Sequence, residues 1–386
     1  MNKLLRKVLM PAVALGILAG CAGEEDTIIM APVPEVESQF SPQQQWKSSV
    51  GSGVEHYFSK LSPEYAYDKV FVANREGLIK ALDPENGKQL WQANLAGDTS
   101  ARLSGGILGA YSKVYIGSEN GEVIALDQDS GETLWRAQVE GEVLTAPIAE
   151  SNLIIVHTAR GMLLALDQDT GNQRWAISMD VPNLTLRGDS RPAAVSGGVF
   201  WGTANGRLAA AIVDNGQLIW QQPIGLPQGA TEIDRLVDVD ASPIILGSTL
   251  YIVGFNGNLV SVDLRSGQPV WKRPYSSAND MTTDNRNIYL ATDKDHLVAV
   301  DARSGTELWV NNQLEHRLLT APVIIERHVV VGDSEGYLYW LDRESGDFVS
   351  KQLVDESGFA VSPIAVDDGY VLITRNGDVK KLTLNK

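Results

Sequence analysis

Few residues of this chain could carry chemistry. Gly332-Asp333-Ser334-Glu335-Gly336 fits G-x-S-x-G, which in hydrolases sets a nucleophilic serine on a sharp turn between a strand and a helix. Here a strand pattern follows: VVVGDSEGYLYWLD aligns with VYIGSENGEVIALD, so Ser334 is expected in a tight turn between two strands. Asp83, Asp127, Asp167, Asp263, Asp301 and Asp342 recur before a turn at equivalent positions, and equivalent copies cannot all be one active site. The five histidines, His56, His157, His296, His316 and His328, lack metal-ligand spacing. The single cysteine, Cys21, cannot form a disulfide within the chain. No catalytic residue, metal site or cofactor is expected from this set.

The elements that position these residues follow from one repeat. GLIKALDPENGKQLW ends at Trp91, GEVIALDQDSGETLW at Trp135 and GMLLALDQDTGNQRW at Trp175. GRLAAAIVDNGQLIW ends at Trp220 with Ile212 in place of the aspartate, GNLVSVDLRSGQPVW at Trp271 and DHLVAVDARSGTELW at Trp309. A seventh copy, GYLYWLDRESGDFVS, carries Ser350 where tryptophan belongs. A period of about 40 residues with apolar–polar alternation and frequent turn signals predicts four short antiparallel strands per unit, the blade of a β-propeller. The aspartate can accept bonds from amides of the following turn, and the glycine supplies the positive φ that closes it. The tryptophan falls in the outermost strand, where it can pack on the neighbouring blade and donate to a backbone acceptor.

The segment 359–384 holds three strands and stops before an outer one, whereas Gln45-Trp46-Lys47 resembles a tryptophan strand with nothing before it. The N-terminal strand is therefore expected to pair with the last blade. This gives an all-β, eight-bladed propeller of four-stranded antiparallel blades over residues 45–386, closed so that no sheet edge invites aggregation. Seven blades plus a stray strand is the alternative count.

Lys3, Arg6 and Lys7 precede an apolar run from Val8 to Leu18 that is too short to span a bilayer, and Leu18-Ala19-Gly20-Cys21 follows. These residues resemble the signal peptide and lipobox of bacterial lipoproteins. The resemblance implies removal of residues 1–20, acylation of Cys21 and, with Ala22 next, an outer-membrane location facing the periplasm. Cleavage takes the formal charge from −16 to −19, which disfavours nucleic acid as a partner and leaves membrane affinity to the acyl chains. Residues 21–44, with acids and prolines and no sustained periodicity, read as a flexible tether whose coil dimension is about 25 Å.

The A-x-D-x(3)-G-x(3)-W motif at Ala81, Ala125, Ala165 and Ala299 resembles the repeat of quinoprotein-type propellers. Within them, the lipobox, the length and the stretches TEIDRLVDVD, LRSGQ, HRLLTAP and VVGDSEGYL are similar to the BamB family of propeller lipoproteins, across the whole mature chain. The resemblance implies a non-catalytic subunit of the outer-membrane β-barrel assembly machinery that binds the POTRA region of BamA and helps unfolded outer-membrane proteins to fold and insert. Two alternatives stay open. A quinone-dependent dehydrogenase of this superfamily resembles its relatives in adjacent cysteines and a bound calcium, and this chain lacks the cysteines; a scaffold of another envelope complex differs only in its partner.

Function should concentrate where connections exceed the repeat. The longest interval between tryptophans, Trp220 to Trp271, contains PIGLPQGATEIDRLVDVDASP with Asp234, Arg235, Asp238 and Asp240. The preceding connection, DVPNLTLRGDSRP, puts Leu184, Leu186 and Arg187 outside the regular strands. An apolar pair beside an arginine, facing an acidic loop, suits an interface with a charged rim. A structural reading has the leucines capping the gap between blades and Arg187 paired with Asp238 or Asp240. In the resembling family these connections contact BamA, which implies partner-binding roles for Leu184, Leu186, Arg187, Asp238 and Asp240. Extended client segments can also add to an exposed strand edge, which the sequence does not locate.

Overall fold

The computed structural model describes residues 28–384, so Cys21 and the signal segment lie outside the described residues. The described chain forms eight four-stranded antiparallel sheets. Seven blades use consecutive strands; blade 1, for example, runs Glu64–Ala66, Lys69–Ala73, Leu78–Leu82, Gln89–Asn94 from inner to outer. Blade 8 combines Ile364–Val366, Gly369–Ile373 and Asp378–Thr383 with Gln43–Ser49 as its outer strand. Gln43 pairs with Thr383 and Ser49 with Asp378, which is the expected closure, begun two residues earlier than Gln45.

Each core lies between two neighbouring blades: Phe71 and Trp91 of blade 1 share one cluster with Val114, Ile116 and Ile124 of blade 2. The middle strands are thus covered on both faces, which is why they read as apolar runs such as Leu-Ile-Ile-Val at 153–156. In blades 1 to 4 the first and second strands join through tight turns with positive φ at both central residues, as at Ser151 (52°) and Asn152 (62°).

The repeat residues behave alike from blade to blade. Asp127 accepts from the Ser130 amide at 2.8 Å, the Ser130 hydroxyl at 2.9 Å and the Asp129 amide at 3.0 Å, and these bonds hold its carboxyl below the ordinary range. Trp135 donates its indole N–H to the Gln168 carbonyl of the next blade at 3.1 Å. Its ring lies over Gly171 (φ +70°), where an added Cβ would come within 2.7 Å of it, so only glycine fits. Trp46, Trp91, Trp175, Trp271 and Trp309 make the same bond to the next blade.

The eighth joint, between blades 7 and 8, is built differently. Across the third and fourth strands, Ala125 pairs with Trp135 and Ala299 with Trp309, but in blade 7 Trp340 pairs with Ser350. The bulky ring has moved one strand inward, and Trp340 is fully buried against Tyr370 at 5.2 Å. Ser350 donates to the Phe40 carbonyl at 2.6 Å, and the Phe40 ring stands edge-on to Trp340 at 5.5 Å. Residues 31–40, which fall within the expected tether, lie along the outer strand of blade 7 (Phe348–Leu353). The Gln39 amide donates to the Val349 carbonyl at 2.8 Å, Lys351 Nζ to the Pro34 carbonyl at 2.8 Å and the Ala31 amide to the Glu315 carbonyl at 2.9 Å.

One face of the ring carries the turns between first and second strands and, in blades 1 to 7, those between third and fourth strands. The other, here called the loop face, gathers the connections between blades and the hairpins between second and third strands. Those hairpins bond to the connections: the Ala159 amide to Glu142, Phe255 to Asp238 and Ser334 to Arg317, at 3.0, 2.8 and 3.2 Å.

Candidate docking site

Both singled-out connections lie on the loop face and meet. Leu184 is 44% exposed and Arg187 is exposed, while Leu186 is half-buried. Asp238 and Asp240 are only 1% and 5% exposed and hold the loops from beneath. The Leu186 amide donates to the Asp238 carboxylate at 3.0 Å. Asp240 packs against the backbone at Gly188, where an added Cβ would lie 2.3 Å from its carboxylate. Removal from water pushes the Asp240 carboxyl up to about 7 and the Asp238 carboxyl up to about 6, and it raises the neighbouring Asp189 well above the ordinary range.

Arg187 pairs with neither of those aspartates. Its guanidinium lies 3.2 Å from Glu119 and 3.6 Å from Glu142, which belong to the hairpin of blade 2 and the connection into blade 3. Glu119 is also gripped by Arg75 through two bonds of 3.1 and 2.6 Å, and the Arg75 guanidinium lies 3.9 Å from the Tyr57 ring centre. A relay Tyr57, Arg75, Glu119, Arg187 thus fixes the arginine head beside Leu184 and Leu186. Such pairing would lower the entropy lost on docking to a partner.

The connection 50–63, from the closing strand into blade 1, was not singled out from the sequence, yet it completes the site. Lys60 Nζ donates to the Asp240 carbonyl at 3.1 Å and the Asp189 carbonyl at 3.4 Å, tying this connection to the other two across the central axis. Phe58 is 51% exposed there and Leu318, in the connection from blade 6 to blade 7, is 66% exposed. A cavity of about 570 Å³ opens between them, lined by Phe58, Leu186, Arg187, Phe255, Leu319 and Phe359 among others. The signal for this third element was the aromatic pair Tyr57-Phe58 in a segment with no strand pattern. Aromatic and arginine side chains around an apolar centre are the composition of a protein-binding surface.

The residues weighed for catalysis have structural partners. The Ser334 hydroxyl donates to the Arg317 carbonyl at 3.1 Å, so its proton is not held by a base. Asp333 is fully buried and accepts from Arg317 Nε at 2.7 Å and the Tyr339 hydroxyl at 2.9 Å. The buried His157 ring bonds through Nδ1 to the Ser190 carbonyl at 3.0 Å, and burial lowers its pKa to about 4. Among the described residues, no group of three or more His, Cys, Asp or Glu side chains is placed to hold a metal ion.

Comparison with known proteins agrees with this architecture. A family described as "Outer membrane protein assembly factor BamB" matches residues 75–311 and 296–384. The BamB of Vibrio cholerae is 65% identical over 386 residues, covering all of both chains. The crystal structure of BamB from Moraxella catarrhalis superimposes with a TM-score of 0.79 at 26% identity, over 89% of this chain and 100% of that one. A quinohemoprotein alcohol dehydrogenase from Comamonas testosteroni shares the fold, with a TM-score of 0.71 at 13% identity over 88% of this chain and 76% of that one. Family match, full-length identity and eight-bladed architecture together establish that the chain belongs to the BamB family of outer membrane protein assembly factors.

Proposed function

We propose that this chain is a non-catalytic subunit of the barrel assembly machinery. It is held to the outer membrane through an acylated Cys21, faces the periplasm, and uses its loop face to bind the POTRA region of BamA. By that contact it aids the folding and insertion of outer-membrane proteins. The observation that carries this reading is the convergence of three non-repeating connections on one face, with exposed Leu184 and Phe58 around an Arg187 already paired to Glu119 and Glu142.

The test is co-purification with BamA from detergent-solubilised outer membranes. Leu184→Asp changes an exposed side chain and is expected to lower recovery of the complex at least tenfold while the melting temperature stays near that of the parent; Arg187→Glu is expected to lower recovery as much, with a lower melting temperature because it sets a carboxylate against Glu119 and Glu142. Full recovery with both variants would move the interface elsewhere; no association even for the parent would sink the assembly reading in favour of another envelope complex. The dehydrogenase alternative is checked by dye reduction after adding quinone and calcium, where no turnover is expected.

A further inference from the structure

The chain enters the outer strand of blade 8 at Gln43 on the face opposite the loop face, because Gln43–Ser49 runs toward the connection 50–63. If residues 31–42 hung free, an anchor would leave the body there. They do not hang free: the segment turns back along blade 7 and ends on the loop face. The Ala31 amide donates to the Glu315 carbonyl at 2.9 Å, and Arg317 Nη1 donates to the Ala31 carbonyl at 2.7 Å. Arg317 is itself buried and paired with Asp333 at 2.7 Å. Its sequence neighbours Leu318 and Leu319 line the cavity that Leu186 and Arg187 share. Lower down, Ser38 bonds to the Lys351 amide at 3.2 Å, Val349 is buried beneath the segment, and Phe40 packs on His328 at 5.1 Å.

The geometry points to residues 31–40 being a docked strap that makes the loop face the membrane-proximal face of the anchored propeller. The strap moves the exit point across the height of a blade, roughly 23 Å for a seven-residue strand. It also shortens the leash. From Cys21 to Ala31 the chain spans at most about 35 Å when fully extended, against about 75 Å from Cys21 to Gln43. The surface holding Leu184, Arg187 and Phe58 is thereby kept near the bilayer and faces it, so the partner it fits is the membrane-adjacent part of an integral complex. This inference rests on the reading that Cys21 is acylated.

The experiment uses the full acylated chain bound to vesicles of phosphatidylethanolamine and phosphatidylglycerol carrying an acceptor dye at the bilayer surface. A donor dye is attached to Gln313→Cys on the loop face or to Glu344→Cys in the opposite-face turn of the neighbouring blade, both exposed positions. Energy transfer is expected to be at least threefold stronger from position 313. Insertion of twenty Gly/Ser residues between Gly23 and Glu24 should abolish the difference without lowering the melting temperature. In Phe40→Ser, if it folds, the difference should also shrink. Equal or reversed transfer in the parent, with the protein still floating on vesicles, overturns the strap while leaving the anchor intact; failure to float overturns the anchor reading and the orientation with it.

Discussion

The joints between blades and the loop face are built from the same chain on opposite principles. At the joints one solution recurs: a tryptophan from one blade covers the turn glycine of the next, as Trp46 on Gly87, Trp91 on Gly131 and Trp309 on Gly346. On the loop face the three connections of the candidate docking site share neither length nor residue pattern, and they bury Asp189, Asp238 and Asp240 with little compensation. Stability resides in what repeats. The proposed recognition surface lies in what does not, and there the protein tolerates groups that weaken the fold.

Four predictions break or sharpen that contrast. The largest effect is expected from Trp135→Ala, which empties a buried site and removes the bond to Gln168, at a cost of about 3–5 kcal/mol; a melt that matches the parent would refute the joint as the source of stability. Asp240→Asn should act in the other direction. Its carboxyl is raised from 3.8 to about 7, so below pH 4 it is neutral in both states, and between pH 4 and 7 only the unfolded chain ionises. Its contribution to stability therefore falls as pH rises through that window, by as much as about 4 kcal/mol for a shift of this size. The variant should melt higher than the parent at pH 8 and match it near pH 4, and a difference independent of pH would count against a neutral, buried Asp240.

The exceptional joint provides the third test. Ser350→Trp alone overfills a site already occupied by Trp340 and Phe40 and is expected to cost about 1–3 kcal/mol. Combined with Trp340→Ala it returns the large ring to the outer strand and vacates the space that Trp340 fills, so the double variant should be more stable than the sum of the single effects implies; strict additivity in denaturant titrations would show that the two positions do not share one space. The smallest effect is expected from Leu184→Ser, within about 0.5 kcal/mol by thermal melting, because the side chain lies in solvent. A larger loss would make Leu184 part of the core and remove it from the docking surface.

Much of the fold was legible because a propeller writes its architecture once per blade. The aspartate, glycine and tryptophan of each repeat mark the turn and the outer strand, and the unaccompanied Trp46 announced the closure. Trp340 stood in the seventh repeat at the position of Ala299, but only the cross-strand register shows that it takes the place of the tryptophan missing at 350. Residues 31–40 read as tether in the sequence because their partners, Glu315, Arg317 and Lys351, are distant along the chain and leave no local pattern. The candidate docking site was legible in its connections and not in its pairing. An acid-rich loop suggests exposed charge, yet Asp238 and Asp240 turn inward to hold Leu186 and Gly188. Arg187 finds Glu119 and Glu142, which no spacing rule would have chosen.

The pairing of Gln43 with Thr383 also sets an order of events in time. A chain synthesised from its N-terminus makes the outer strand of blade 8 before any other part of the ring and the strand it pairs with after nearly everything else. Blades 1 to 7 can each form from contiguous sequence as it appears, whereas the closing ladder must wait for the last residues and carries the largest loop-closure entropy in the molecule. Any nascent chain that stops short of the final strand is left as an open ring with two unmatched edges, a form that quality control can distinguish from the finished protein.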